Sequence, residues 1–301
     1  MDIRQLRYFL AVAEHGSFSK ASGALHLSQP TLSKMVKQIE EELGVVLFDR
    51  STRHIQLTDA GEALRAHAGT VLRSLEQLHT SLADITQSKR GTITLGLPPV
   101  IGASFFPKII AWFRNQYPHI VIHLVEEGSK TIERLILEGN LDLGAVVLPV
   151  DEQVFEIVPL VRRELKLVVH PQHPLAIRRE VALLELRDEP FILFRNGFAL
   201  YDRIRGACIR AGFEPNIAYE SAQWDFISEM VAAGQGVALL PETICSKLSP
   251  TQVAVIPKVQ PVVHWNLAMV WRKNSYLSFA AREWVRVAGD FFREQYSDER
   301  A

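Results

Sequence analysis

Apolar positions recur at helical spacing through the first 57 residues. Leu6, Phe9, Leu10 and Ala13 share one face, and Gly16 stops that helix. Ser17 is placed to cap a second helix carrying Phe18, Ala21, Ala24 and Leu25. After a break at His26-Leu27, Ser28 caps a third helix. Pro30 is tolerated there because the first turn has no intrahelical acceptor to lose. Leu32, Val36, Ile39 and Leu43 form the buried face of this helix, and Gly44 ends it. Leu47 and Phe48 return to the core, and the stretch from Arg50 to Leu57 alternates like a short hairpin or wing.

The pattern then changes period. Thr58 caps a helix whose first turn carries Asp59 and Glu62, favourable at the positive helix end. Leu64, Ala68, Val71, Leu75, Leu78, Leu82 and Ile85 follow at alternating spacings of four and three, a heptad seam. Pairing with a second helix is one reading of the seam, and packing on its own domain is the other. Such a helix spans about 45 Å, enough to separate two domains.

Beyond a joint at Ser88–Gly91, strand and helix patterns alternate. Ile93, Leu95 and Leu97 begin a strand; Phe105 to Phe113 is an apolar helix closed by Tyr117-Pro118; Ile120, Ile122 and Leu124 alternate. A helix through Ile132, Leu135 and Ile136 ends at Gly139, before a buried strand from Leu143 to Leu148. The theme repeats to a final helix from Ala280 to Phe292. This order predicts mostly parallel sheets with helices on both faces.

Composition adds little to this pattern and excludes several classes. The chain has 301 residues, 48% hydrophobic and 22% charged, with a net charge of −1, so it is globular and any nucleic-acid contact must use local positive charge. Two cysteines, Cys208 and Cys245, are too few for a secreted disulfide scaffold and read as reduced thiols. No signal peptide, membrane span or cofactor fingerprint is visible, and a cytoplasmic protein without membrane contact is expected. No G-x-S-x-G elbow, phosphate-binding glycine loop, H-E-x-x-H or Cys/His metal spacing supports an enzyme, and no cofactor is expected.

The candidate chemistry lies at the start of the third helix. Ser28, Gln29, Pro30, Thr31, Ser33, Lys34 and Lys37 project away from Leu32, Val36 and Ile39. Small hydrogen-bonding and cationic groups suit base edges and phosphates in a major groove, and Arg50 and Arg53 on the wing are placed to reach the backbone. A simple solvated face is the alternative. Residues 1–57 hold seven Lys/Arg against six Asp/Glu, which by itself favours neither.

The motifs settle the direction. Leu6-Arg7-Tyr8-Phe9, Gly16-Ser17-Phe18-Ser19, Leu27-Ser28-Gln29-Pro30-Thr31-Leu32-Ser33, Leu47-Phe48-Asp49-Arg50 and Leu57-Thr58-Asp59-Ala60-Gly61 occur in order. His173-Pro174-Leu175 and Val231-Ala232-Ala233-Gly234 follow further on. The chain resembles the LysR-type transcriptional regulators over essentially its whole length. Ser22 stands where the family usually has alanine, and its hydroxyl can bond back to the helix.

The resemblance implies an N-terminal all-α winged helix-turn-helix (residues 1–58), a long linker and dimerisation helix (59–89), and an effector-binding regulatory domain (90–301). The last is an α/β, two-lobed fold like that of periplasmic binding proteins, with lobe I at about 91–161 and 267–301 and lobe II at about 162–266. Also implied are double-stranded promoter DNA and RNA polymerase as partners, a homodimer formed through Leu64, Val71, Leu75, Leu78 and Leu82 that assembles to a homotetramer, and a small-molecule effector.

Ligands of such lobes sit at strand ends facing helix N-termini. Pro98, Pro99 and Val100 form one such turn, Ser129 a second, and Arg195, Asn196 and Phe198 a third; Leu148, Pro149 and Trp224 close the walls. Ser129 reads equally as a plain helix cap, and Trp224 as lobe core. Prolines remove backbone donors from the first turn, and Arg195 supplies a cation, so a small acid or compact polar-apolar metabolite is expected. A secreted solute-binding protein is the rival that the C-terminal fold suggests; the DNA-binding half argues against it.

Overall fold

The computed structural model of the protein describes residues 1–50, 55–85 and 90–296. Arg53 lies outside the described residues, as does the side chain of Leu82. The chain divides into two compact units, Met1–Thr86 and Gln87–Ala301.

The first unit contains α1 (Ile3–His15), α2 (Phe18–Ala24), α3 (Gln29–Leu43), the antiparallel strands β1 (Phe48–Asp49) and β2 (Gln56–Leu57), and α4 (Asp59–Ile85). Each short helix begins where a side chain satisfies an orphan N–H: the Lys20 N–H donates to Ser17 Oγ at 3.4 Å, and the Thr31 N–H to Ser28 Oγ at 3.4 Å. Gly16 and Gly44 take left-handed conformations that end α1 and α3. The Ser22 hydroxyl does bond back, donating to Ser19 O at 2.9 Å. Phe9, Phe18, Leu32, Val36, Ile39 and Phe48 make the core, with the Phe48 ring 5.3 Å from Phe9 and 5.8 Å from Phe18. Leu43, expected on the buried face, is 42% exposed in the last turn of α3, because Leu47 and Phe48 already fill that end of the core.

The second unit has two lobes. The first holds β3 (Gly91–Leu97), α5 (Pro99–Gln116), β4 (Ile120–Glu126), α6 (Ser129–Leu137), β5 (Leu143–Val147) and β6 (Phe155–Val161). The chain then builds the second lobe from β7 (Leu165–Val169), β8 (Glu180–Ala182), β9 (Pro190–Phe194), α7 (Ala199–Arg210), β10 (Asn216–Ser221), α8 (Trp224–Ala232), β11 (Ala238–Pro241), α9 (Glu242–Cys245), β12 (Ala254–Ile256) and β13 (Lys258–Gln260). It returns with β14 (Leu267–Arg272) and α10 (Phe279–Tyr296). The two crossings run side by side: the Leu165 N–H donates to Val263 O at 2.9 Å and the Trp265 N–H to Arg163 O at 2.7 Å.

The expectation of mostly parallel sheets needs correction. β3 is parallel to β4 and β5, but β14 inserts between β5 and β6 antiparallel to both, giving the order β4-β3-β5-β14-β6. In the second lobe β7 is antiparallel to β11 and β12, while β9–β10 and β8–β13 are parallel. Local periodicity cannot register that the chain leaves a lobe and comes back, and the return path fixes the direction of β14. Aromatic packing of Phe106 and Phe113 against Trp284 ties α5 to α10 under this sheet. Among the described residues no helix is long and apolar enough to cross a membrane.

Candidate nucleic-acid interface and ligand cleft

The apolar stripe of α3 turns Leu32, Val36 and Ile39 inward and therefore turns its polar positions out. Gln29, Pro30, Thr31, Lys34 and Lys37 are exposed, and Ser33 is half-buried. Ser28 and Thr31 share a hydroxyl–hydroxyl bond of 2.7 Å, so the start of the helix is held rigid. Gln29 is held as well: its Oε1 accepts from Ser19 Oγ of α2 at 3.0 Å, which leaves the amide N–H donors to point outward. Among the described residues Lys37 has only an exposed partner, Glu41 at 3.4 Å, a pair worth little in water and readily exchanged.

Arg50 is placed differently from what its wing position suggests. Its guanidinium bonds Glu40 Oε2 at 2.8 Å and lies 5.3 Å from the centre of the Phe18 ring. Glu40 Oε1 also accepts the N–H groups of Leu47 and Phe48, at 2.9 and 3.4 Å. Arg50 and Glu40 thus fasten the base of the wing to α3. Sequence reasoning missed Glu40, because its partners lie on the wing and meet it only in the folded unit.

The heptad positions of α4 split into two groups. Leu64 and Ala68 face the unit's own core, Ala68 at 1% exposure. Val71 and Leu78 are 50% and 53% exposed, and Leu75 is half-buried. The seam is therefore consumed internally at its start and exposed at the described positions Val71 and Leu78 further along.

In the second unit a cavity of about 440 Å³ opens between α6 of the first lobe and α7 of the second. Ser129, Leu148 and Pro149 line it. Gly128, not Ser129, is the N-cap of α6, which corrects the cap expected at Ser129. Ser129 is instead the first helical residue; its buried Oγ accepts from the Val147 N–H at 3.2 Å and joins α6 to the end of β5. The lobes meet tightly here. A Cβ on Gly128 would stand 2.6 Å from the Gly197 carbonyl oxygen, so only glycine fits. Lys130 of α6 reaches across to Asp202 of α7 at 2.6 Å.

The other expected ligand residues do not line this cavity. Val100 is 4% exposed and belongs to the lobe core. Pro98 is buried at the N-cap of α5, and Pro99 occupies its first turn. Trp224 opens α8, half-buried against the core. Arg195 and Asn196 are exposed; Arg195 covers the Phe198 ring at 5.3 Å and gives its N–H to Ser221 O at 2.9 Å. Gly197, between these residues, is the neighbour that brings their turn against Gly128. Lys130, Glu133, Asp202, Arg203 and Arg210 do line the cavity and were missed, because their meeting depends on the docking of two separate helices. Cys208 and Cys245 are free and buried, and burial pushes both thiols up to about 12.

Comparison with known proteins agrees with this architecture. A family described as "Bacterial regulatory helix-turn-helix protein, lysR family" matches residues 3–62, and one described as "LysR substrate binding domain" matches residues 86–293. The chain is 50% identical over 300 residues to the uncharacterized HTH-type transcriptional regulator YwbI of Bacillus subtilis, covering 100% of both. It is 32% identical to a hydrogen peroxide-inducible genes activator of Pectobacterium carotovorum, covering 92% of each chain. A full-length OxyR structure from Pseudomonas aeruginosa, of a variant with one cysteine replaced by aspartate, superposes with a TM-score of 0.73 at 28% identity, covering 97% of this chain and 95% of that one. The chain belongs to the LysR family: it is a DNA-binding transcriptional regulator with a helix-turn-helix unit and a small-molecule-binding unit.

Proposed function

We propose that α3 reads an operator through Gln29, Thr31 and Ser33 while Lys34, Lys37 and Arg53 hold phosphates, and that the second unit couples this grip to a small acidic effector. The observation that carries the reading is the outward polar first turn of α3, fixed by the Ser28–Thr31 and Ser19–Gln29 bonds. Rigid placement of a few donors is what base recognition needs. Arg50 serves the wing's position, with Glu40, more than it serves phosphate.

The protein acts as a dimer through α4, supported by the exposed Val71 and Leu78. Assembly to a tetramer is supported by apolar side chains left open on both lobes: Trp112, Val121 and Leu124 on α5 and the edge strand β4, and Tyr219 and Phe226 on β10 and α8. Family membership supports contact with RNA polymerase, a cytoplasmic location and regulation without turnover of the effector. Arg195 and Asn196, which precede the Gly197 that meets Gly128, hold the effector together with Ser129. The peroxide response in the name of the Pectobacterium relative is not carried over, since buried thiols raised to about 12 hold almost no reactive thiolate at neutral pH.

Selection of binding sites from random duplex DNA by the full chain tests this reading. The expected product is a pseudo-palindrome whose half-sites are spaced by about one helical turn or a multiple of it. Absence of any enriched sequence contradicts it.

A further inference from the structure

The α7 wall of the cleft carries positive charge that no described residue pairs with. Arg203 and Arg210 stand two turns apart on α7 and line the same 440 Å³ cavity. Neither makes an ion pair or hydrogen bond among the described residues. Their neighbours do: Arg205 bonds Glu214 at 2.6 Å, and Lys130 bonds Asp202 at 2.6 Å. Arg203 is half-buried, and burial together with the like charge of Arg210 pushes its guanidinium below the usual range. Arg210 is exposed at the rim, and a half-buried guanidinium beside that like charge is unfavourable until an anion joins the two. The facing wall adds Glu133, whose carboxyl is pushed up by burial and drawn back down by the Lys130 charge beside it. Val147, Leu148, Pro149 and Ala199 give the recess an apolar floor.

We propose that this cavity binds a small divalent anion, a dicarboxylate or a phosphomonoester, clamped by Arg203 and Arg210. Guanidinium forks match the paired oxygens of carboxylates and phosphates, and two such forks match two negative charges. The site spans both lobes, so an occupant stabilises the arrangement in which Lys130 meets Asp202 across the cleft. A ligand shifts a conformational balance by the difference in its affinity for the two arrangements. This consequence rests on the reading of the second unit as effector-responsive; the anion site does not. The clamp lies on α7, apart from the Arg195 turn.

The test is calorimetric titration of the full-length protein with succinate, inorganic phosphate and acetate at constant ionic strength. Succinate or phosphate binds, and acetate binds at least tenfold more weakly. The tighter of the two dianions identifies the class. R203Q and R210Q each lose at least tenfold in affinity, R187Q, at an exposed arginine that pairs with Asp188 and does not line the cavity, changes by less than twofold, and R203K, which keeps the charge, retains part of the binding. Unliganded melting temperatures equal to wild type show that the variants fold; should R203Q or R210Q fail to fold, R203K and R210K take their place. Equal binding of acetate, wild-type titration by R203Q and R210Q, or an equal loss in R187Q overturns the site. Operator titration in parallel separates the two ideas. Dianion binding that leaves operator affinity and bending unchanged supports the site and contradicts the effector reading. An operator response to another metabolite, with no dianion bound, contradicts the site and leaves the effector reading in place.

Discussion

The α3 face and the interlobe cleft are built in opposite ways. Every side chain proposed to read DNA from α3 comes from one ten-residue stretch, Ser28 to Lys37, on a helix whose buried stripe fixes the outward face. The cleft takes its lining from α6 and the end of β5 on one side and from α7 on the other, which the chain reaches only after the crossing between lobes. A contiguous site is a property of local periodicity. An assembled site is a property of packing, so changes in it are felt as changes in lobe docking.

The largest effect separating the two regions should come from neither site but from α4. Leu78 is 53% exposed in the chain by itself, so Leu78→Asp leaves the unit folded. In a paired seam the same carboxylate is buried without a partner, at a cost of several kcal/mol. Leu78→Asp and Leu75→Asp should both be monomeric by light scattering at micromolar concentration. An intact dimer in both returns the seam to packing within one chain.

Next in size is Gly128→Ala. The added methyl has the Gly197 carbonyl 2.6 Å away, and relief requires the lobes to separate. A loss of about 1–3 kcal/mol in the stability of the second unit is expected, with DNA affinity on isolated operator fragments nearly unchanged. Thermal unfolding at the wild-type midpoint would show that the lobes are not held as closely as the structure has them.

The smallest effect concerns the thiols. Cys208 and Cys245 have pKa values raised by burial from an ordinary value near 9 to about 12, so the neutral thiol is the folded form below that range and any contribution is lost only as pH rises toward it. Native protein at pH 8 should therefore react with a thiol reagent far more slowly than unfolded protein, and Cys208→Ser should leave operator binding insensitive to peroxide. Rapid labelling of either thiol in folded protein contradicts this.

Much of the first unit was legible because its signals are local. Ser17, Ser28, Gly16 and Gly44 marked helix ends, and the stripe of Leu32, Val36 and Ile39 marked the core. The contacts of Arg50 were not legible, since its partners Glu40 and Phe18 come from two other elements and only the folded unit brings them together. In the cleft, Ser129, Leu148 and Pro149 were found from strand ends, but the role of Ser129 was not: its bond to the Val147 N–H depends on β5 lying beside α6. Arg203 and Arg210 sit on a helix face that resembles any solvated face until α6 closes over it.

The decisive measurement is operator affinity of wild type, Gln29→Ala and Lys34→Ala, each on specific and random duplexes across a salt series. Lys34→Ala should weaken both duplexes alike and reduce the slope of log affinity against log salt by about one. Gln29→Ala should cost about 1–3 kcal/mol on the specific duplex, leave random DNA unchanged, and keep the wild-type slope. Identical specificity in Gln29→Ala and wild type, with an unchanged slope in Lys34→Ala, would mean that this face of α3 is merely solvated and that DNA is read elsewhere.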